Sequence, residues 1–122
     1  MLIKFNNEKP IYIQLAEGLE DAILNEAFGE ETQIPSTTEL SVMYKINPAT
    51  ALKGINMLVD SDILYKKRGI GMFITAGAKE KILRKRKRSF YDSYIMALLT
   101  EAEKLGIEKN EIINMIERGY DK

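Results

Sequence analysis

Ile46-Asn-Pro-Ala-Thr50 and Lys66-Lys67-Arg68-Gly69-Ile70-Gly71-Met72-Phe73-Ile74 bracket the stretch that decides the fold. Asn47 is a good helix cap, and Pro48 suits the first helical position because its missing N–H would have no partner there. Ile55, Leu58 and Val59 give the helix that follows an apolar stripe, and Asp60-Ser61-Asp62 closes it. Ile63-Leu64-Tyr65 and Met72-Phe73-Ile74 read as two strands around a glycine turn. Gly69 and Gly71 allow positive φ, so the turn can be tight and its backbone can approach a phosphate. A capped helix followed by a basic, glycine-hinged hairpin is the layout of a winged helix-turn-helix. Its helix enters the major groove of DNA and its hairpin reaches the backbone or the adjacent minor groove.

Working toward the N-terminus, Ser36 and Glu39 form a capping box. The serine hydroxyl accepts from the Glu39 N–H while the carboxylate accepts from the Ser36 N–H. The spacing predicts a short helix over 37–44, with Leu40 and Met43 facing inward, then a turn at Lys45-Ile46. Ile11, Leu15, Leu19 and Ile23 recur every fourth residue, which predicts a helix over about 10–27 ended by Phe28-Gly29. Residues 2–6 are expected to form a short strand.

Working toward the C-terminus, Thr75-Ala-Gly77 punctuates the chain. A long helix is expected over about 79–105, stopping at Gly106, and a last one over about 109–118. Phe90, Tyr94, Ala97, Leu98 and Leu105 share one side of the first, and Ile112, Ile113, Met115 and Ile116 line the second. Aromatic residues at helical spacing are more often core or interface than a ligand cage. Two isolated helices cannot bury such faces alone, so pairing with the same helices of a second chain, in a two-fold homodimer, is the economical solution.

Composition narrows the function classes. The 122 residues carry no cysteine and no histidine, which removes disulfides, the common zinc sites and the His-based nucleophilic triads. No metal or cofactor is expected. No apolar run approaches the ~20 residues of a membrane span, and the N-terminus lacks a signal-peptide pattern, so a cytoplasmic location is inferred. Net charge is zero, yet residues 66–88 hold 10 basic and 1 acidic side chains, while residues 1–65 hold 4 basic and 10 acidic. The positive charge is thus concentrated in the hairpin and in Arg84-Lys-Arg-Lys-Arg88, a footprint suited to phosphates. A solvated helix face is the plain alternative for that run.

Pro10-Ile-Tyr-Ile-Gln14, Ile34-Pro-Ser36, Asn47-Pro-Ala-Thr50 and Arg68-Gly-Ile-Gly71-Met-Phe73, in this order and spacing, resemble the GntR family of bacterial transcriptional regulators. The Asn-Pro-x-Thr helix start and the short C-terminal part look like its YtrA branch. The resemblance implies a dimeric repressor or activator on a palindromic operator, with two C-terminal helices for dimerisation and, often, a nearby transporter operon as target. This sequence departs from the family at Thr38, Pro48 and Leu52, where many members carry arginine, and at Ile70, where many carry lysine or arginine.

The expected fold is mostly α with a small β-hairpin: a winged helix-turn-helix over 1–76, then a two-helix dimerisation element over 77–122. The candidate DNA-binding residues are Ser36, Thr37, Thr38, Asn47, Thr50, Lys53, Lys66, Lys67, Arg68 and Gly69, with Asn56 a further polar position. Asn47 is expected to act mainly as a cap, Thr50 to touch DNA, and Arg68 to be the strongest contact. The candidate dimerisation residues are Phe90, Tyr94, Ala97, Leu98, Ile112, Ile113 and Ile116. The expected partners are double-stranded DNA and a second copy of the chain. A small-molecule effector is left open, a site between subunits being one place for it. A winged-helix module that binds proteins is the alternative reading. A hydrolase built on Glu17 and Asp21 is a third, and those two carboxylates read more simply as a solvated acidic patch.

Overall fold

In the computed structural model, which describes residues 1–121, the first helix (α1, Ile11–Leu24) packs Leu15, Ala16, Leu19, Ala22 and Ile23 inward. It ends earlier than its apolar pattern suggests. Asn25 turns its side-chain oxygen onto the Ala27 N–H at 2.9 Å, and Glu26 adopts a positive φ of 63°. Residues 1–10 form no strand, contrary to expectation. Their backbone is held by side chains instead. Gln14 accepts from the Asn6 N–H and donates to the Asn6 and Lys9 carbonyls, while the Tyr44 hydroxyl donates to the Met1 carbonyl. Phe5 meets the Tyr44 ring edge-on at 5.7 Å.

The second helix (α2, Thr37–Tyr44) has the capping box at Ser36 and Glu39, and Lys45 closes it in the left-handed region. Leu40, Ser41 and Tyr44 take its inner stripe. Met43, expected inside, lies on the outer flank of this short helix and is 55% exposed. The third helix (α3, Pro48–Asp60) buries Ala51, Gly54, Ile55 and Leu58, with Val59 half-buried.

The hairpin strands (β1, Leu64–Lys67; β2, Gly71–Ile74) are antiparallel, in a register from Leu64 opposite Ile74 to Lys67 opposite Gly71. The Ile70 N–H donates to the Lys67 carbonyl across the turn, and Gly69 has a φ of +76°. A third short piece joins the sheet. Gln33 bridges Phe73, with the Ile34 N–H on the Met72 carbonyl and the Ile74 N–H on the Thr32 carbonyl. Leu64 and Ile74 close over Leu15, Leu19, Ile55 and Leu58. Each such fully buried side chain contributes on the order of 1.5–3 kcal/mol.

The fourth helix (α4, Ala78–Phe90) starts under a cap from elsewhere in the chain. The Glu30 carboxylate accepts from the N–H groups of Gly77 and Lys79 at 2.8 and 3.1 Å. Ala78 and Ile82 are fully buried in the same core, so the first compact unit extends through Arg84, beyond the expected boundary at residue 76.

The second unit begins at Lys85. The helix expected to run unbroken to 105 contains a π turn (Tyr91–Ile95) before α5 (Met96–Leu105). Gly106, at φ 69°, caps α5, and Glu108 and Glu111 form a capping box for α6 (Lys109–Tyr120). Among this unit's described residues only Ala102 is a buried hydrophobic. No helix among the described residues is long and apolar enough to cross a membrane.

Candidate nucleic-acid interface

All ten candidate DNA-binding residues fall in the first unit, in three groups: the start of α2, the first turns of α3 and the hairpin. At α2, the Ser36 Oγ accepts from the Glu39 N–H at 3.0 Å and the Ser36 N–H donates to the Glu39 carboxylate at 3.0 Å. These bonds from Ser36, backbone first and then side chain, hold the Glu39 carboxyl below its ordinary pKa. The next N–H groups, of Thr37 and Thr38, belong to the first helical turn, which has no intrahelical acceptors for them. Donors so placed, at the positive end of the helix dipole, suit a phosphate.

At α3, Asn47 accepts from the Ala49 N–H at 2.8 Å, so its side-chain oxygen is committed to capping. Thr50 is half-buried one turn on. Lys53 lies with its ammonium 4.2 Å above the ring centroid of Tyr12 in α1. The outer side of α3 exposes Ala49, Leu52, Asn56, Met57 and Asp60.

Alternation divides the hairpin cations between its two faces. Lys67 shares a face with Tyr65 and Phe73, and its ammonium stands 4.1 Å from the Phe73 ring centroid. Lys66 points to the opposite face, opposite Met72. Arg68 and Ile70 are exposed in the turn, beside Gly69. The Gln33 amide donates to the Ile70 carbonyl at 3.0 Å and so ties down the hairpin tip.

Sequence reasoning did not find Tyr12, Gln33 or Glu30 as parts of this site. Each acts on a partner distant in the chain, and nothing local to it signals that role. Of the two carboxylates weighed for hydrolysis, Glu17 is paired with Lys9 at 3.0 Å.

In the second unit, Phe90 and Tyr94 meet with ring centroids 5.4 Å apart and planes tilted by 42°, and both remain exposed. Ala97, Leu98, Ile113 and Ile116 are exposed too, and Ile112 is half-buried. Leu98, Leu105, Ile112, Met115 and Ile116 line an apolar groove of about 350 Å³ between α5 and α6.

No family model matches the chain. A GntR-family transcriptional regulator from Bacteroides thetaiotaomicron has a similar crystal structure, with a TM-score of 0.73 and 33% identity over 91% of this chain and 96% of that one. The HTH-type transcriptional repressor YtrA of Bacillus subtilis (strain 168) is 25% identical over 103 residues, covering 84% of this chain and 78% of the repressor. The S. agalactiae regulator BusR, solved in complex with its busAB-promoter DNA, matches 92% of this chain and 53% of its own at 27% identity and a TM-score of 0.62. The chain shares the expected winged-helix architecture with the GntR-family structure, and YtrA is the relative that the Asn-Pro-x-Thr helix start pointed to.

Proposed function

We propose that this chain, which belongs to the GntR family of transcriptional regulators, binds a two-fold symmetric operator as a homodimer and represses the genes beside it, a transporter operon being the first to examine. The observation that carries the reading is the clustering, in one compact unit, of a capped α2, an outward stripe on α3 and a basic hairpin. The solved complex of BusR with promoter DNA supports it. The N–H groups of Thr37 and Thr38 hold one phosphate and fix the approach of the helix pair, α3 lies in the major groove, and Lys66 and Arg68 reach phosphates from the wing.

The homodimer reading rests on the second unit. Its groove and the exposed Leu98, Ile113 and Ile116 form an apolar face with too little of its own chain to cover it. The same helices of a second copy cover it, in a self-complementary contact. Two reading heads then meet two half-sites separated by a whole number of duplex turns.

The test is binding of the purified protein to duplexes from its own upstream region over a salt series, beside scrambled duplexes of equal length. A protected sequence with inverted half-sites, bound well above the scrambled control, is the expected result. Equal affinity for every duplex, or none, removes the reading and leaves a protein-binding winged helix as the alternative.

A further inference from the structure

Resting on that reading of α3 as the groove-entering helix, we propose that Leu52 determines operator specificity by packing against a thymine C5-methyl group. Four observations lead there. The α3 segment contains no arginine, the side chain best suited to gripping guanine bidentately. Asn47 has spent its oxygen on the Ala49 N–H. Lys53 is drawn onto Tyr12, and Gly54 backs onto the same residue, which assigns their edge of α3 to α1. The exposed stripe left over runs Ala49, Leu52, Asn56, at i, i+3 and i+7, and so lies along one side of the helix, with Asp60 continuing it at the C-terminal end and Met57 exposed beside it.

Leu52 is the largest member of that stripe and is 48% exposed. A lone exposed leucine is ordinary on a protein surface. Here it borders a shallow, largely apolar hollow with Ala49, Asn56 and Met57, which Tyr12, Lys53 and Asp60 edge with polar groups, on the helix that the proposed function lays along the base edges. The thymine methyl is the apolar group that base edges display in the major groove, and contact with it distinguishes T·A from the other pairs. Asn56, one turn beyond Leu52, offers the amide that matches adenine N6 and N7. The stripe therefore suits an A·T-rich half-site.

The experiment starts from duplexes selected by the wild-type protein from a random pool. Each thymine is then replaced singly by deoxyuridine, which removes the methyl and leaves the base pairing intact. The expected result is a loss of about fourfold in affinity at one or two positions per half-site, the value of one buried carbon at ~0.8 kcal/mol. In Leu52→Ala the same replacement should have no effect, while the slope of affinity against salt stays that of the wild type. In Leu52→Arg the selected base at that position should move from thymine to guanine. Circular dichroism melting confirms that both variants fold, as expected for an exposed side chain. A uracil effect absent at every position, or equal in wild type and Leu52→Ala, overturns this inference alone. Failure of the wild type to select any sequence overturns the operator-binding reading as well.

Discussion

Gly54 of α3 sits against the main-chain carbonyl of Tyr12 in α1: a β-carbon at Gly54 would stand 2.8 Å from that oxygen and 3.2 Å from the Leu15 Cδ2. A helix carbonyl cannot step aside without moving its helix, so the two axes approach this closely only because residue 54 has no side chain. Alanine is the better helix former by about 1 kcal/mol, but overpacking a tight contact costs about 1–3 kcal/mol. Gly54→Ala should therefore lose net stability in urea unfolding, and operator affinity should fall as α3 is pushed from its seat. Gly119→Ala, where nothing lies within 4 Å, is the control and should be neutral or stabilising by up to about 1 kcal/mol. Matching unfolding midpoints for the two variants would show that the helices do not touch there.

The cations of the reading head are not equivalent. Lys53 and Lys67 lie over aromatic rings, at 4.2 and 4.1 Å, whereas Arg68 is exposed at the hairpin turn. Each phosphate neutralised adds about 0.9 to the slope of log affinity against log salt. Arg68→Ala should lower that slope by about 0.9. Lys53→Ala should change it by less than half as much, since its ammonium is turned to Tyr12, and should cost about 0.5–1 kcal/mol of stability as the exposed cation–π contact is lost. Isothermal titrations at four salt concentrations decide the ranking, and a larger effect from Lys53 than from Arg68 would reverse it.

Much of this architecture was legible because its signals are local. The capping box at Ser36 and Glu39 spans three residues, Asn47-Pro48 sets a helix start by itself, and Gly69 marks the turn that β1 and β2 share. The contacts that complete the site join distant positions. Glu30 reaches Gly77 across 47 residues and Gln33 reaches Ile70 across 37, and no periodicity encodes either pairing. Short apolar runs misled where tertiary partners decided the outcome. Residues 2–6 alternate like a strand, yet at Asn6 the N–H and carbonyl pair with the Gln14 side chain and not with a neighbouring strand. Met43 had helical spacing, but in an eight-residue helix Leu40 and Tyr44 already fill the inward side.

Two carboxylates link this local order to pH. Backbone bonds from Gly77 and then Lys79 hold the Glu30 carboxyl below its usual 4.5, and those from Ser36 do the same for Glu39. A carboxylate with a depressed folded-state pKa contributes stability that is present above its unfolded value and is lost as pH falls through the folded one. Stability should thus be level from neutrality down to about pH 5 with respect to these groups, and decline below 4.5. Glu30→Gln should flatten that decline and lower the melting temperature at pH 7, because the neutral amide is a weaker acceptor for the start of α4. Thermal melts at pH 3.5, 4.5 and 7 test this, and parallel curves for wild type and Glu30→Gln would exclude the carboxylate as the source.

The apolar face of the second unit makes the sharpest demand on assembly. Leu98 and Ile116 border one groove, yet Ile116 is 46% exposed in the single chain. A charge placed there leaves the isolated chain almost unaffected but must be desolvated without a partner if two copies close over it, at a cost of several kcal/mol per ion. Ile116→Glu should therefore sediment as a monomer at micromolar concentration while its first unit melts as in the wild type. Operator affinity should drop by about 10²–10⁴, the advantage that joining two reading heads confers through effective concentration. Affinity for a single half-site should stay unchanged, because α3 and the wing are untouched. A wild-type chain that is already monomeric at these concentrations, or an Ile116→Glu variant that still sediments as a dimer, would mean that copies do not meet through α5 and α6.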